Sequence, residues 1–367
     1  MTEQLDRDFL HRYSRHIKID QVGEPGQRKL SSARVLVVGA GGLGSPALLY
    51  LAAAGVGTIG IIEFDSIELS NLQRQIIHSE GGVGTSKAAS AAARIAELNS
   101  TTLVEVFDRP ISRENALDVM SGFDLVVDGS DNFATRYLLN DACVLAGKPY
   151  IWGSVLRFDG QVSVFGLPGG PCYRCVYPSP PEPGSVPNCA DAGVFGAICG
   201  VIGSLQVSEA LKLILGVGET LSGRIAIFDA LSARIEEVSI ARDVHCPMCG
   251  DSPSITELQD YVAFCAGGTT DDTVTRSQLI GLLQARERGD VAFNFVDIRE
   301  RYELIHGQIP GAVNMPLSTF DPEALIGDAI LYCQAGVRSE HLLRELKAQG
   351  FSGIKHYAGG YIDWVSH

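Results

Sequence analysis

Nine cysteines stand in this chain, and their spacing is its first chemical signal. Cys172 and Cys175 form one Cys-x-x-Cys pair, and Cys246 and Cys249 form another. Four thiolates suit tetrahedral Zn²⁺ and leave it no open position, so the pattern predicts a structural zinc; a redox dithiol is the rival reading. Such a metal would staple the end of a domain to its middle. Cys333 closes an apolar run, and Gln334–Ser339 (QAGVRS) leads into helical periodicity. A cysteine at a strand-to-helix turn faces backbone N–H groups and a helix N-terminus, which favour the thiolate, and Arg338 adds positive charge. The loop therefore reads as an anion cradle around a nucleophile. Four residues separate Cys333 from Arg338, one fewer than in phosphatase loops, and the narrower bowl suits a persulfide sulfur. Cys189 lies in a Pro/Gly-rich stretch (VPNCADAG). It is either an inconsequential loop thiol or an exposed one that accepts an acyl group or sulfur. Cys143, Cys199 and Cys265 read as small apolar fillers.

The second signal is glycine. Gly39, Gly41 and Gly44, with Gly42 between them, make a G-x-G-x-x-G loop between a strand and a helix. Without side chains, backbone N–H groups approach a phosphate, and the helix N-terminus adds partial positive charge. Glu63 follows 19 residues after Gly44, where an acidic group grips a ribose. Bare, this pattern fits NAD or FAD as well as other nucleotides. Arg74 within Ser70–Gln75 (SNLQRQ), Lys87 at a helix start, and Asp131 within Asp128–Asn132 (DGSDN) shift the balance. Cations offset charge on departing pyrophosphate and a carboxylate holds Mg²⁺, so the set suits a triphosphate. Hydride transfer needs no such set.

These residues need elements to hold them. Arg34–Val38, Thr58–Glu63, Leu103–Phe107 and Asp124–Asp128 read as strands; Ser45–Ala54 and Lys87–Leu98 read as helices. The alternation implies crossover units and a largely parallel, Rossmann-like sheet. Residues 155–165 alternate around Asp159-Gly160, a hairpin signal. Residues 178–195, rich in Pro, Gly and Ser, read as a loop or lid. Gly193–Leu205 is too short to span a bilayer and reads as a buried core helix. After Gly250, residues 251–273 lack periodicity and read as a linker, with a short helix near 255–264. A second α/β pattern follows. Thr275 caps a helix running to about Arg288, Phe293–Ile298 and Ala329–Tyr332 are strands, and Val337–Gln349 is a helix. The domains are thus 1–250 and 274–367.

The 367 residues carry 29 Lys+Arg against 43 Asp+Glu, a net charge of −14. This acid excess argues against nucleic acid or a polybasic membrane patch as partner. With 46% hydrophobic and 20% charged residues the chain is expected to fold, not to be disordered. The N-terminal residues lack an apolar segment, and an odd cysteine count suits a reducing compartment, so a cytoplasmic location is expected.

Together, Arg12-Tyr13-Ser14-Arg15, the GAGGLGS loop, Ser70–Gln75, Lys87 and Asp131-Asn132 resemble the MoeB/ThiF family of ubiquitin-activating-enzyme-like adenylyltransferases, over about residues 8–250. The resemblance implies that Gly42, Glu63, Ser70, Asn71, Leu72, Gln73, Arg74, Lys87 and Asn132 line an ATP site. It implies that Asp131 binds Mg²⁺ and that Arg15 reaches the triphosphate, from the partner subunit of a homodimer. The two Cys-x-x-Cys pairs are similar to those of MoeB-like proteins. Cys189 resembles the crossover-loop cysteine that is catalytic in some members and dispensable in others. Glu63 departs from the family's usual Asp, for which altered geometry is expected.

Val296–Pro316, the CQAGVRS loop, Ala358-Gly359-Gly360 and Trp364 resemble rhodanese domains from about 274 onward. Asp297, Arg299 and Glu303 match that pattern. Gln308 stands where His is usual, and Gln334 where a basic residue often follows the cysteine. The tandem is similar to adenylyltransferase-sulfurtransferases of the MoeZ/MoeBR type. It implies a carrier protein of ubiquitin fold ending in Gly-Gly, similar to MoaD or ThiS, as substrate, and thiosulfate or a cysteine desulfurase as sulfur donor. A nicotinamide- or flavin-dependent oxidoreductase leaves Arg74, Lys87 and the second half unexplained. Arg74, Lys87, Asp131 and Cys333 speak against a non-catalytic carrier-binding protein.

Overall fold

Short runs of β-branched and aliphatic residues, each ended by a glycine or polar turn, build the first sheet. Its strands are β1 (Arg34–Val38), β2 (Thr58–Ile62), β3 (Leu103–Phe107), β4 (Leu125–Asp128), β5 (Tyr150–Leu156), β6 (Asp159–Phe165), β7 (Arg224–Asp229) and β8 (Arg234–Ser239). They lie in the order β3-β2-β1-β4-β5-β6-β7-β8. The five from β3 to β5 are parallel and the rest antiparallel. β1 and β2 are buried almost throughout, as central strands covered on both faces must be. The chain reverses its direction of travel across the sheet between β1 and β4, so a crevice opens at their carboxyl ends. This is the computed structural model of the chain, and it describes residues 2–181, 192–265, 272–325 and 327–365.

Two helices frame the crevice. Gly44–Ala54 (GSPALLYLAAA) carries Pro46 in its first turn and is Ala/Leu-rich thereafter, so it is buried along most of its length. Gly196–Leu215 packs against it and against β5 and β6. By length and composition alone this 20-residue helix could cross a membrane, longer than the sequence reading allowed. Half of its apolar window is buried in the unit, and buried Gln206 and Glu209 interrupt it. Gln206 Nε2 donates to the carbonyls of Asp128 and Ile151, tying the helix to the ends of β4 and β5.

One local expectation is corrected. The β5–β6 turn is at Arg157-Phe158, and Asp159 already pairs with Leu156. Arg157 holds φ = 54° although it is not glycine. Its N–H donates to the Gly193 carbonyl and its carbonyl accepts from Phe195 N–H, so a distant segment fixes the conformation.

The chain divides into two compact units, the second beginning at Val262. The stretch 251–261 is held by the first unit. Ser254 and Ile255 N–H both donate to the Pro247 carbonyl, and Tyr261 Oη donates to the buried Asp141 carboxylate. Helix Tyr261–Cys265 lies within the segment read as linker. In the second unit, β9 (Thr273–Val274), β10 (Asn294–Asp297), β11 (Val313–Asn314), β12 (Ala329–Tyr332) and β13 (Ile354–Tyr357) form an all-parallel sheet ordered β11-β10-β12-β13-β9. Thr275 caps the following helix through a capping box with Gln278.

Candidate functional site

The crevice of the first unit gathers the glycine loop and its neighbours. A Cβ on Gly44 would lie 1.9 Å from the Gly39 carbonyl oxygen, so only glycine allows the loop to fold back on the helix start. A Cβ on Gly42 would lie 2.9 Å from Cys199 Sγ and 3.6 Å from Arg74 Cδ. The loop thus presents bare backbone over Cys199, with the Arg74 side chain alongside. Gln75 lies 3.7 Å from the corresponding point on Gly41, and Gln73 packs on Gly196. Gly129, after β4, packs directly on Gly39 and Gly44 and brings Asp131 and Asn132 to the same end of the sheet. Asp131 is exposed there, and Asn132 caps the next helix by accepting from Thr135 N–H.

Glu63 does something the sequence did not reveal. Its Oε2 accepts from Ala40 N–H at 2.9 Å, and its Oε1 accepts from Phe64 and Asp65 N–H at 2.8 and 2.9 Å. The longer side chain reaches back to brace the glycine loop. The next peptide of the loop is held by His78, whose Nε2 lies 3.0 Å from the Ala40 carbonyl while Nδ1 lies 3.1 Å from Ser90 Oγ. Burial lowers the His78 pKa, so the ring is neutral at physiological pH. Buried Lys87 pairs with Asp65 at 3.0 Å. Asn71 Oδ1 accepts from Glu68 N–H and fixes the start of the 69–75 turn, where the Ser70 carbonyl accepts from Arg74 and Leu72 closes the 3₁₀ turn. Asp128 is fully buried and accepts from Ser130 and Tyr150 Oη. Burial pushes its pKa up, so of the two carboxylates Asp131 is the one open to a cation. Arg15 is exposed on Ser14–Ile17 and makes no hydrogen bond to the glycine loop among the described residues.

The four paired cysteines converge. Their Sγ atoms all lie within 4.8 Å of one another. Cys175–Cys249 is 3.3 Å, Cys172–Cys246 is 3.6 Å and Cys172–Cys175 is 4.0 Å. A tetrahedron with Zn–S of about 2.3 Å has edges of about 3.8 Å, so the set fits Zn²⁺. No disulfide forms among them. Asp243 N–H donates to Cys175 Sγ of the first pair, and Arg242 donates to the Cys249 carbonyl of the second. Beside it, Arg174 makes a bidentate pair with Asp141 at 2.8 Å, both buried.

In the second unit Cys333 is buried at the end of β12. Gly336 (φ = 81°) lets the loop turn under Ala358, where a Cβ would meet the carbonyl at 1.9 Å. Arg338 does not give its charge freely to the cradle: it forms a bidentate pair with Glu303 at 2.7 and 2.6 Å. Burial raises the Glu303 pKa, but the Arg338 hydrogen bond, the Glu300 N–H and the charges of Arg338 and Arg299 together outweigh it, and the net shift is downward. Arg299 and Asp297 form a fully buried pair, braced by Tyr332 Oη on the carboxylate and by the Tyr361 ring 3.9 Å from the guanidinium. Arg299 also donates to Gln334 Oε1, fixing the residue after Cys333. Cys189 lies outside the described residues. Nothing local in the sequence singled out His78, Tyr150 or the Asp141–Arg174 pair, because their partners are 12 or more residues away.

A family model described as the ThiF family matches residues 13–248, and one described as a rhodanese-like domain matches residues 280–367. The probable adenylyltransferase/sulfurtransferase MoeZ of Mycobacterium tuberculosis (strain ATCC 25618 / H37Rv) is 45% identical, over 98% of this chain and 94% of its own length. The sulfur carrier protein adenylyltransferase of Thermus thermophilus is 50% identical, over 71% of this chain and 97% of its own. Among solved structures, E. coli MccB with MccA-N7isoASN superposes with a TM-score of 0.59 at 26% identity, over 66% of this chain and 75% of that one. MccB with ATP gives 0.55 at 25% identity, over 65% and 73%. The crevice residues, the second-unit cysteine loop and these matches agree: the chain belongs to the ThiF family, with a rhodanese-like domain following in the order of the adenylyltransferase/sulfurtransferases.

Proposed function

We propose that this chain adenylates the C-terminal glycine carboxylate of a ubiquitin-like sulfur carrier and then converts it to a thiocarboxylate with sulfur from Cys333. One observation carries the reading: a ThiF-family unit is followed by a rhodanese-like unit that keeps its cysteine at a strand-to-helix turn. The family implies ATP with Mg²⁺ and a carrier of ubiquitin fold. The Thermus relative is named for a sulfur carrier protein, and MccB has been crystallised with ATP.

A carboxylate is a poor electrophile because its leaving group would be oxide. In this reading the carrier carboxylate attacks the α-phosphorus of ATP, and pyrophosphate departs with the electron pair. The product carries AMP as a good leaving group. No base is required, since the carboxylate is already ionised. Backbone of Gly39, Gly41, Gly42 and Gly44 cradles phosphate, and Ser70, Asn71, Leu72, Gln73, Arg74, Lys87 and Asn132 line the nucleotide. Asp131 would hold Mg²⁺, which when bound neutralises charge on the departing pyrophosphate. Arg15 serves the site of a partner subunit. Zn²⁺ held by Cys172, Cys175, Cys246 and Cys249 is structural. The adenylating domain is 1–250 and the sulfurtransferase domain 274–367, with 251–273 between them. Thiosulfate or a cysteine desulfurase loads Cys333 in the cytoplasm. The Cys333 persulfide attacks the acyl carbon through its outer sulfur and expels AMP. A second thiol, Cys189 in this reading, attacks the inner sulfur of the acyl disulfide and releases the carrier thiocarboxylate.

Cys333→Ala separates the halves. ATP–pyrophosphate exchange with a diglycine-ended carrier is expected to stay at the wild-type rate while thiosulfate sulfur transfer stops. Loss of both would remove the division of labour.

A further inference from the structure

Beneath the Cys333 loop lies a buried histidine that sulfur transfer, as argued so far, leaves unused. His356, the third residue of β13, is 4% exposed. Its Nδ1 lies 3.5 Å from Ser339 Oγ, and the ring hydrogen-bonds the Gly336 carbonyl. Ser339 is itself fully buried in the first turn of the helix Val337–Ala348. Its Oγ lies 2.9 Å from that same Gly336 carbonyl and 3.8 Å from Cys333 Sγ. The three side chains therefore run in series from the nucleophile inward.

A hydroxyl has one proton to donate. The Gly336 carbonyl and the Cys333 sulfur compete for it, and the carbonyl is nearer. A ring N–H that takes one lone pair of the carbonyl weakens its hold on the hydroxyl, because two donors then share one acceptor, and shifts the hydroxyl proton toward sulfur. Burial holds the His356 pKa down to about 4, with Arg344 acting in the same direction and Asp272 against it. The ring is neutral in the working range and has a single N–H to place.

We propose that His356 is a positioning residue for chemistry at Cys333: its Nδ1–H occupies the Gly336 carbonyl and turns the Ser339 hydroxyl onto the sulfur. The inference rests on the sulfurtransferase reading. In transfer from thiosulfate, the Cys333 thiolate attacks the sulfane sulfur, the S–S bond breaks, and sulfite leaves with the electron pair. The serine hydrogen bond stabilises the sulfur anion before attack and the persulfide after it.

The experiment uses the full chain. In ¹⁵N-histidine NMR the wild-type protein is expected to show His356 as the Nδ1–H tautomer. His356→Leu is expected to lower kcat for thiosulfate sulfur transfer about tenfold, the size of one hydrogen bond to a charged group, with KM within about twofold. His356→Asn, which restores an N–H near the Nδ1 position, is expected to recover most of that loss. In a double-mutant cycle, Ser339→Ala with His356→Leu is expected to be no slower than Ser339→Ala alone. An Nε2–H tautomer, an unchanged kcat in His356→Leu, failure of Asn to rescue, or additive losses would each overturn the proposal. Absence of sulfur transfer in the wild-type protein would instead strike the sulfurtransferase reading, and the tautomer measurement does not depend on it.

Discussion

Replacing Glu63 by Gln tests whether that carboxylate braces the glycine loop. Three backbone N–H groups converge on it: Ala40 on one oxygen, Phe64 and Asp65 on the other. An amide offers one acceptor oxygen and one NH₂, so at least one of the two sides must lose its bond. If the amide nitrogen turns toward Ala40, a buried N–H faces another donor. Stranding a buried donor costs roughly 1–3 kcal/mol. A loss of about 2 kcal/mol corresponds to about a 30-fold shift in the equilibrium between held and released loop. Hydrogen–deuterium exchange of the nucleotide-free protein reads this directly, as a rise of about that size in the exchange rate of the 39–45 peptide. The ATP affinity should fall with it. A carboxylate that served only a ribose would leave the nucleotide-free loop untouched. Unchanged exchange at residues 39–45 in Glu63→Gln, with weakened ATP binding, would therefore refute the bracing argument.

Two further outcomes concern metal and pH. Purified protein is expected to hold about one Zn²⁺ per chain, lost in Cys246→Ser together with a lower melting temperature of the first unit; a metal-free wild type of equal stability would contradict this. Glu303 is held below its ordinary value of 4.5 by Arg338. A depressed carboxylate contributes stability that is fully present above its ordinary pKa and is lost as pH falls through the folded value. The second unit should thus lose stability below about pH 4.5, and Glu303→Gln should flatten that acid limb; an identical acid limb in the variant would show the pair is not responsible.

The parts of the fold that a sequence shows best are those whose cause is local. β1, the glycine loop and the helix Gly44–Ala54 were legible because a short apolar run, glycine spacing and alanine-rich composition act on adjacent residues. Thr275 was legible for the same reason, since its capping partner Gln278 is three residues away. The Arg157-Phe158 turn was not, because Gly193 and Phe195 impose it from a distance. The site divides in the same way. Residue types at the glycine loop and at Cys333 were plain, but what their side chains face was not. The inward reach of Glu63, the neutralisation of Arg338 by Glu303, and Cys199 beneath Gly42 each depend on tertiary packing. His356 lies in a strand that gives no local sign of meeting Ser339 across the loop.

The central claim is that the first unit activates a carrier's terminal carboxylate. The direct measurement is pyrophosphate release in a single turnover by the full chain with ATP, Mg²⁺ and a ubiquitin-fold carrier ending in Gly-Gly. Stoichiometric pyrophosphate is expected with that carrier and none with the same carrier lacking its last glycine. Release that is absent, or that proceeds equally without the diglycine tail, would contradict the account.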